Sequence, residues 1–220
     1  MVTRVFINLE RSPERRVHMQ NIMKNIGYEF EYIEAIDGRK VYPNVVMNKN
    51  ITPGRNGCMA SHVKALDYCL STSSDTFIVS EDDITDEYVQ FWKKEHHEFM
   101  NGYLPGCDIL QMCMMGKYDN DEMIPIDRQR DFWSTGIYSI NRNTAQSIVD
   151  TFKHRDIINM NAITNPVADD TIYYYGKTMS IPMFSYVRSA YSLVMDTQSN
   201  ENPKYKAMRV HIESLWRNLT

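Results

Sequence analysis

The stretch TFIVSEDD, residues 76–83, sets a β-rich apolar run directly against three carboxylates. Thr76, Phe77, Ile78 and Val79 are all β-branched or aromatic, and the run is short enough for a buried strand. The acids begin where that strand must end, and open α/β sheets hold their ligands at the carboxyl ends of strands. Along an extended backbone Glu81 and Asp83 project to the same side. Two carboxylates so placed can share a hard cation, Mg²⁺ or Mn²⁺, which would neutralise a diphosphate. The plainer reading of the triplet is a solvated turn or a cap for the next helix.

Working outward, Met59, Val63, Leu66 and Leu70 recur on one face of a 3.6-residue period and predict a helix from about Cys58 to Leu70. It is entered through a loop, 37–57, that holds Gly38, Pro43, Pro53, Gly54 and Gly57. Before that loop, Val5 to Leu9 reads as a strand. Ser12 and Pro13 then open a helix that turns Val17, Ile22 and Ile26 inward and stops at Gly27. Tyr28 to Ile36 reads as a second strand, closed by the Asp37-Gly38 turn. Downstream, the pattern gives a helix over 87–100, a strand over 108–114 and a polar loop over 115–131. A strand over 136–140, a helix over 144–152 and a short helix from Asp169 to Tyr175 follow. The last strand spans 178–184, interrupted at Pro182. Strands alternating with helices imply an α/β fold with a mostly parallel central sheet flanked by helices. Residues 1–194 form the expected domain, and 195–220 a polar linker with a terminal helix.

At 220 residues the chain needs no disulfide staple. A net charge of −4 argues against a general nucleic-acid binder, which requires a basic footprint. Cys58, Cys69, Cys107 and Cys113 show neither C-x-x-C nor zinc-finger spacing and are expected to be free thiols in a reducing compartment. The opening MVTRVFINLERS has too short an apolar run for a signal segment, and no stretch is long enough to span a membrane. A cytoplasmic location is therefore expected.

Three further clusters are candidates. Gly57, Ser61, His62 and Lys64 stand at the head of the predicted helix, where free N–H groups and the helix dipole favour an anion; the alternative is that they serve only the first turn. Asn8, Arg11, Arg15 and Arg16 follow the first strand, where arginines can grip a phosphate or a base edge; surface solvation is equally open. Asp169 and Asp170 either cap a helix or act as a general base.

Taken in order, FINLERSPERR (6–16), EAIDG (34–38), GCMASHVKAL (57–66), FIVSEDD (77–83), GIYSINRNTA (136–145) and PVADD (166–170) resemble glycosyltransferase family 25, the group of lipooligosaccharide and procollagen galactosyltransferases. The resemblance implies a GT-A-type, Rossmann-like fold, a UDP-sugar donor and a divalent metal, usually manganese. It maps the family's acidic triplet onto Glu81, Asp82 and Asp83, with Glu81 and Asp83 as metal ligands and Asp83 the more direct. Asn8, Arg11, Arg16, Gly57, Ser61, His62, Lys64 and Asp82 are then the expected donor-binding residues. Inversion at the sugar would require a base opposite the diphosphate, which points to Asp169 or Asp170. His211 is a candidate late third ligand. Ser80 departs from the apolar residue more typical before the triplet.

The expected activity is transfer of a hexose, galactose or glucose favoured, from a UDP-sugar to a hydroxyl of a glycan, glycolipid or protein. A catalytically silent module that binds a nucleotide sugar or a partner is the alternative. A nucleotidyltransferase or phosphatase is disfavoured, because no G-x-x-x-x-G-K-[ST] loop occurs and Asn8 and Leu9 stand where a phosphatase nucleophile belongs.

Overall fold

The computed structural model describes residues 1–186 and 203–219. In chain order the first elements are β1 (Val2–Asn8), α1 (Pro13–Ile26), β2 (Glu31–Glu34), β3 (Val45–Val46), α2 (Pro53–Leu70), β4 (Thr76–Ser80) and β5 (Ile84–Thr85). Next come α3 (Lys94–Met100), β6 (Ile109–Cys113), β7 (Ile126–Asp127), β8 (Ile137–Asn141) and α4 (Arg142–Phe152). The described chain finishes with β9 (Lys153–His154), β10 (Ile157–Asn159), α5 (Ala168–Thr171), β11 (Thr178–Tyr186) and α6 (Pro203–Asn218).

The main sheet has the order β2-β1-β4-β8-β6-β11-β5, with β7 also paired to β11. β1 is parallel to β2 and β4, and β11 is parallel to β6. β8 lies antiparallel between β4 and β6. The long strands β2, β1, β4, β6 and β11 therefore all point one way, and β8 with the short β5 and β7 points the other. β3, β9 and β10 form a small second sheet.

Both faces of the sheet are covered at its centre, which is why residues 5–7 of β1 and 77–79 of β4 read as continuous apolar runs. The pleat divides their side chains. Val5, Ile7, Phe77 and Val79 pack with Met59, Val63 and Leu66 of α2 and Ile148 and Phe152 of α4. Phe6 and Ile78 face the opposite layer of Met19, Ile22 and Met23 from α1, Phe99 and Met100 from α3, and Trp216 from α6.

Local differences from the sequence expectation have physical causes. Val17 is 55% exposed, and Met19 and Met23 take the inward positions of α1 instead. Gly27 ends that helix in the left-handed conformation, as its position suggested. α2 begins at Pro53, five residues earlier than the apolar period indicated, with the Thr52 hydroxyl accepting from Arg55 N. Gly57 consequently lies inside the helix and does not head it. It permits close packing: a Cβ there would stand 2.6 Å from the Ile36 carbonyl, and one on Gly38 would strike Pro53 O at 1.7 Å. The loop after β2 is thus pressed onto the helix. The helix expected over 87–100 breaks at Trp92, leaving a 3-10 turn at Val89–Phe91 and then α3. The expected polar loop over 115–131 buries Tyr118 and Met123 and contributes β7. The expected polar stretch over 195–204 lies almost wholly outside the described residues. No described helix is long and apolar enough to cross a membrane.

Candidate active site

The acidic turn begins where β4 ends, and Glu81 N still donates to Gly136 O at 2.7 Å. Side chains from α2, β8 and the segment before β8 converge on Glu81. Its Oε1 accepts from Thr135 Oγ1 at 2.6 Å and from His62 Nε2 at 3.1 Å. A carboxylate only accepts, so Nε2 carries the hydrogen. The other ring nitrogen, Nδ1, is hydrogen-bonded to Tyr138 OH at 3.1 Å. Burial pushes the Glu81 carboxyl up, but the hydrogen bond and charge of His62, with Thr135 and Arg15, outweigh it and hold the group below its ordinary value.

Asp82 points toward β1 and α1. Asn8 Nδ2 donates to its Oδ2 at 2.7 Å and Arg15 reaches its Oδ1 at 2.7 Å. Asp83 differs. Only 8% exposed, it has Arg15 no nearer than 3.9 Å at Oδ2, while its Oδ1 is buried without a hydrogen-bond partner. Burial first, then the charges of Glu81 and Asp82, raise its carboxyl well above the ordinary range. A buried oxygen without a donor, next to a second carboxylate, fits a hard divalent cation. Glu81 and Asp83 are the residues that would hold it. Cys58, one turn before His62, also brings its sulfur within 4.8 Å of the His62 and Glu81 ligand atoms, a grouping the sequence spacing did not suggest.

The carboxylates separate two cavities. A small one, about 100 Å³, lies at the carboxyl ends of β1, β2 and β4, with Asn8, Arg11, Gly57, Ser61, His62 and Asp82 on its walls. A larger one, about 460 Å³, opens on the other side of Glu81 and Asp83 and is lined by Asp169, Asp170, Thr135 and Arg209 of α6. Thr135 Oγ1 lies 3.3 Å from Asp169 Oδ1 as well as 2.6 Å from Glu81, so one hydroxyl links the two acids. Burial, followed by the Glu81 charge, pushes the Asp169 carboxyl up to about 6.

Several expected residues have other engagements. Ser61 Oγ donates to Gly57 O at 2.6 Å and accepts from Ile36 N at 2.8 Å, so it ties α2 to the loop after β2. Lys64 does not reach the cavities, because its Nζ donates to the Glu34 carbonyl at 2.7 Å. Arg16 stacks 3.9 Å over the Tyr32 ring and donates to Tyr32 OH and Asn8 Oδ1. It positions Asn8 and does not line either cavity. Arg11 pairs with Asp37 at 3.0 Å. His211 faces the Tyr118 carbonyl at 3.0 Å and lines neither cavity, which removes it as a third ligand. Thr135 and Tyr138 were missed, since no periodicity marks a residue that donates across a sheet. Lys206 and Arg209, which line the large cavity, gave no sequence signal at all.

A family model described as Glycosyltransferase family 25 (LPS biosynthesis protein) matches residues 1–164. A Glycosyltransferase 25 family member of Drosophila pseudoobscura pseudoobscura is 30% identical over 93 residues, covering 36% of this chain. Its counterpart in Aedes aegypti is 31% identical over 93 residues. The chain spans 15% of the length of each of these two relatives. A solved glycosyltransferase involved in the glycosylation of the major capsid of PBCV-1 aligns with 97% of this chain and 98% of its own, at 12% identity and a TM-score of 0.49. The inositol-1-phosphate CTP transferase from T. maritima aligns with 96% of this chain and 77% of its own, at 13% identity and a TM-score of 0.41. The matched span, well over half of the sequence, contains β1, the His62 helix and the acidic turn, and the chain belongs to glycosyltransferase family 25.

Proposed function

We propose that this chain transfers a hexose, galactose or glucose, from a UDP-sugar to a hydroxyl of a glycan, glycolipid or protein, with Mn²⁺ or Mg²⁺ held by Glu81 and Asp83. The observation that carries this reading is the unpartnered Oδ1 of Asp83 beside Glu81 at the junction of two cavities. A dication held there would supply charge neutralisation for the diphosphate leaving group. Everything else is work for the chain. Asp82, itself held by Asn8, keeps Arg15 at the small cavity, the side on which we place the nucleotide, and Arg11 stands there on Asp37. His62, fixed by Tyr138, and Thr135 hold Glu81 in one orientation.

Asp169 or Asp170 acts as the base. With its proton affinity raised to about 6, Asp169 is ionised at neutral pH yet basic enough to take a hydroxyl proton. As the acceptor oxygen bonds to the anomeric carbon, its proton passes to the carboxylate and the bond to the diphosphate breaks, releasing UDP with inversion. UDP-galactose or UDP-glucose with Mn²⁺ is expected to raise the melting temperature, and EDTA to abolish the rise. No shift with any nucleotide sugar in the presence of metal would overturn the proposal. A shift without even slow release of free sugar would favour the catalytically silent module.

A further inference from the structure

Beyond Asp170 the large cavity continues into an open cleft of about 550 Å³ that shares Trp133, Asn165 and Asp170 with it. Its walls differ from the rest of the site. Trp133 is 44% exposed and Tyr174 is 80% exposed, although each is anchored by its neighbours. The Trp133 backbone pairs with Met115 in both directions, at 2.8 and 2.9 Å, and Tyr173, next to Tyr174, is buried. Exposed aromatic faces on fixed backbone offer an apolar platform with little ordering entropy left to lose.

The cleft is also cationic. Arg128 stacks 4.6 Å over the Tyr173 ring and donates to the carbonyls of Phe132 and Asp169, yet its Nε has no partner. Arg130 stands beside it, exposed, and among the described residues neither arginine pairs with a carboxylate. The lining sets two guanidinium groups against one carboxylate, Asp170, and guanidinium groups offer charge-assisted hydrogen bonds to a carboxylate or phosphate.

The segment joining the cleft to the acidic centre is strained. Ser134, between Trp133 and Thr135, has φ +114°, a conformation that non-glycine residues rarely adopt. Tyr173 OH at 2.6 Å and Gln111 Nε2 at 2.8 Å hold its carbonyl, and its own Oγ accepts from Gly136 N at 2.9 Å. Such strain persists where the surroundings enforce it, and it clusters at functional positions. Here it presents the Trp133 ring to the cleft while Thr135 contacts Glu81 and Asp169.

Resting on the transferase reading above, we infer that this cleft is the acceptor subsite and that the acceptor is a saccharide carrying an anionic group, carboxylate or phosphate. Trp133 and Tyr174 take the apolar faces of its rings, Arg130 and Arg128 take the anion, and the reactive hydroxyl lies toward Asp170.

The test is a tryptophan-fluorescence titration of the full chain with 3′-sialyllactose, galactose 6-phosphate and lactose. At least one anionic probe is expected to change the emission saturably and to bind about tenfold or more tightly than lactose. Arg130→Gln, a change at an exposed site, should bring that probe's affinity close to that of lactose, and Tyr174→Ala should weaken it further. Trp133→Phe should remove the emission change. Equal binding of all three sugars, no saturable change with either anionic probe at millimolar concentration, or an Arg130→Gln protein that keeps its preference would overturn the inference. The same samples, heated with UDP-galactose and Mn²⁺, separate the two claims. A donor shift without anionic preference sinks the acceptor inference alone. Anionic preference without a donor shift sinks the transferase reading and leaves the cleft a saccharide site.

Discussion

Replacing Asp169 with asparagine should make the protein more stable and less active, and the size of the first effect follows from the site. The Asp169 carboxyl titrates at about 6, against about 3.9 in an unfolded chain. The cause is burial first and the Glu81 charge second, opposed by His62 and Thr135. A folded-state value above the unfolded one means that the folded protein binds the proton more tightly. The associated stability is present in full below about pH 4 and is lost as pH rises through about 6. About two units at 1.36 kcal/mol each give about 3 kcal/mol. The side chain is partly open to the large cavity, so water screens some of this, and on the order of 2 kcal/mol is the expected effect. An asparagine side chain at this position does not ionise. Urea unfolding with EDTA present should show wild type and Asp169→Asn alike near pH 4, with the variant about 2 kcal/mol more stable at pH 8. Sugar transfer should fall about 10²-fold or more in the same variant while the donor still raises the melting temperature. A wild type as stable as the variant at pH 8, or a gap that persists at pH 4, would refute the reasoning about this carboxylate.

Two structural predictions accompany it. Gly57→Ala places a methyl group 2.6 Å from Ile36 O and 2.7 Å from Gly38 N and should destabilise by about 1–3 kcal/mol in urea unfolding; an unchanged midpoint would show that the loop after β2 is not pressed on α2. Tyr138→Phe leaves His62 Nδ1 without its partner in a buried position, with a loss of about 1–2 kcal/mol measured the same way. Stability equal to wild type would mean that the imidazole is held by Glu81 alone.

What the sequence revealed about the fold was set by local chemistry. Residues 5–7 of β1 and 77–79 of β4 are buried on both faces and so spell uninterrupted apolar runs, and Ser12-Pro13 and Gly27 bracket α1 within a residue. The start of α2 was legible in a different signal from the one followed. Thr52-Pro53 is a capping pair, but the turn after it, Gly54-Arg55-Asn56, carries no apolar period because Arg55 is exposed and the buried Asn56 is held by hydrogen bonds to Asn48 and Ile51. The direction of β8 was not legible, since strand polarity is fixed by its partners β4 and β6 and leaves no mark on IYSIN.

The site divides along the same line. The acidic turn lies at the end of a readable strand, and its position on the sheet follows from that. The division of labour within it does not: whether a carboxylate meets an arginine closely, as Asp82 does, or leaves one buried oxygen without a partner, as Asp83 does, depends on where α1 docks. Lys64 and His211 had suitable chemistry for the tasks expected of them, but they sit on helix faces that turn toward the Glu34 and Tyr118 carbonyls.

The central claim is that carboxylates 81 and 83 hold a dication only a hard-ligand site would take. Electron paramagnetic resonance reads it directly, because the spectrum of free aqueous Mn²⁺ fades as the ion is bound. With UDP present, the account predicts saturable loss of that signal at one ion per chain for the wild type and none of it for Asp83→Asn. Equal Mn²⁺ binding by both proteins would contradict it.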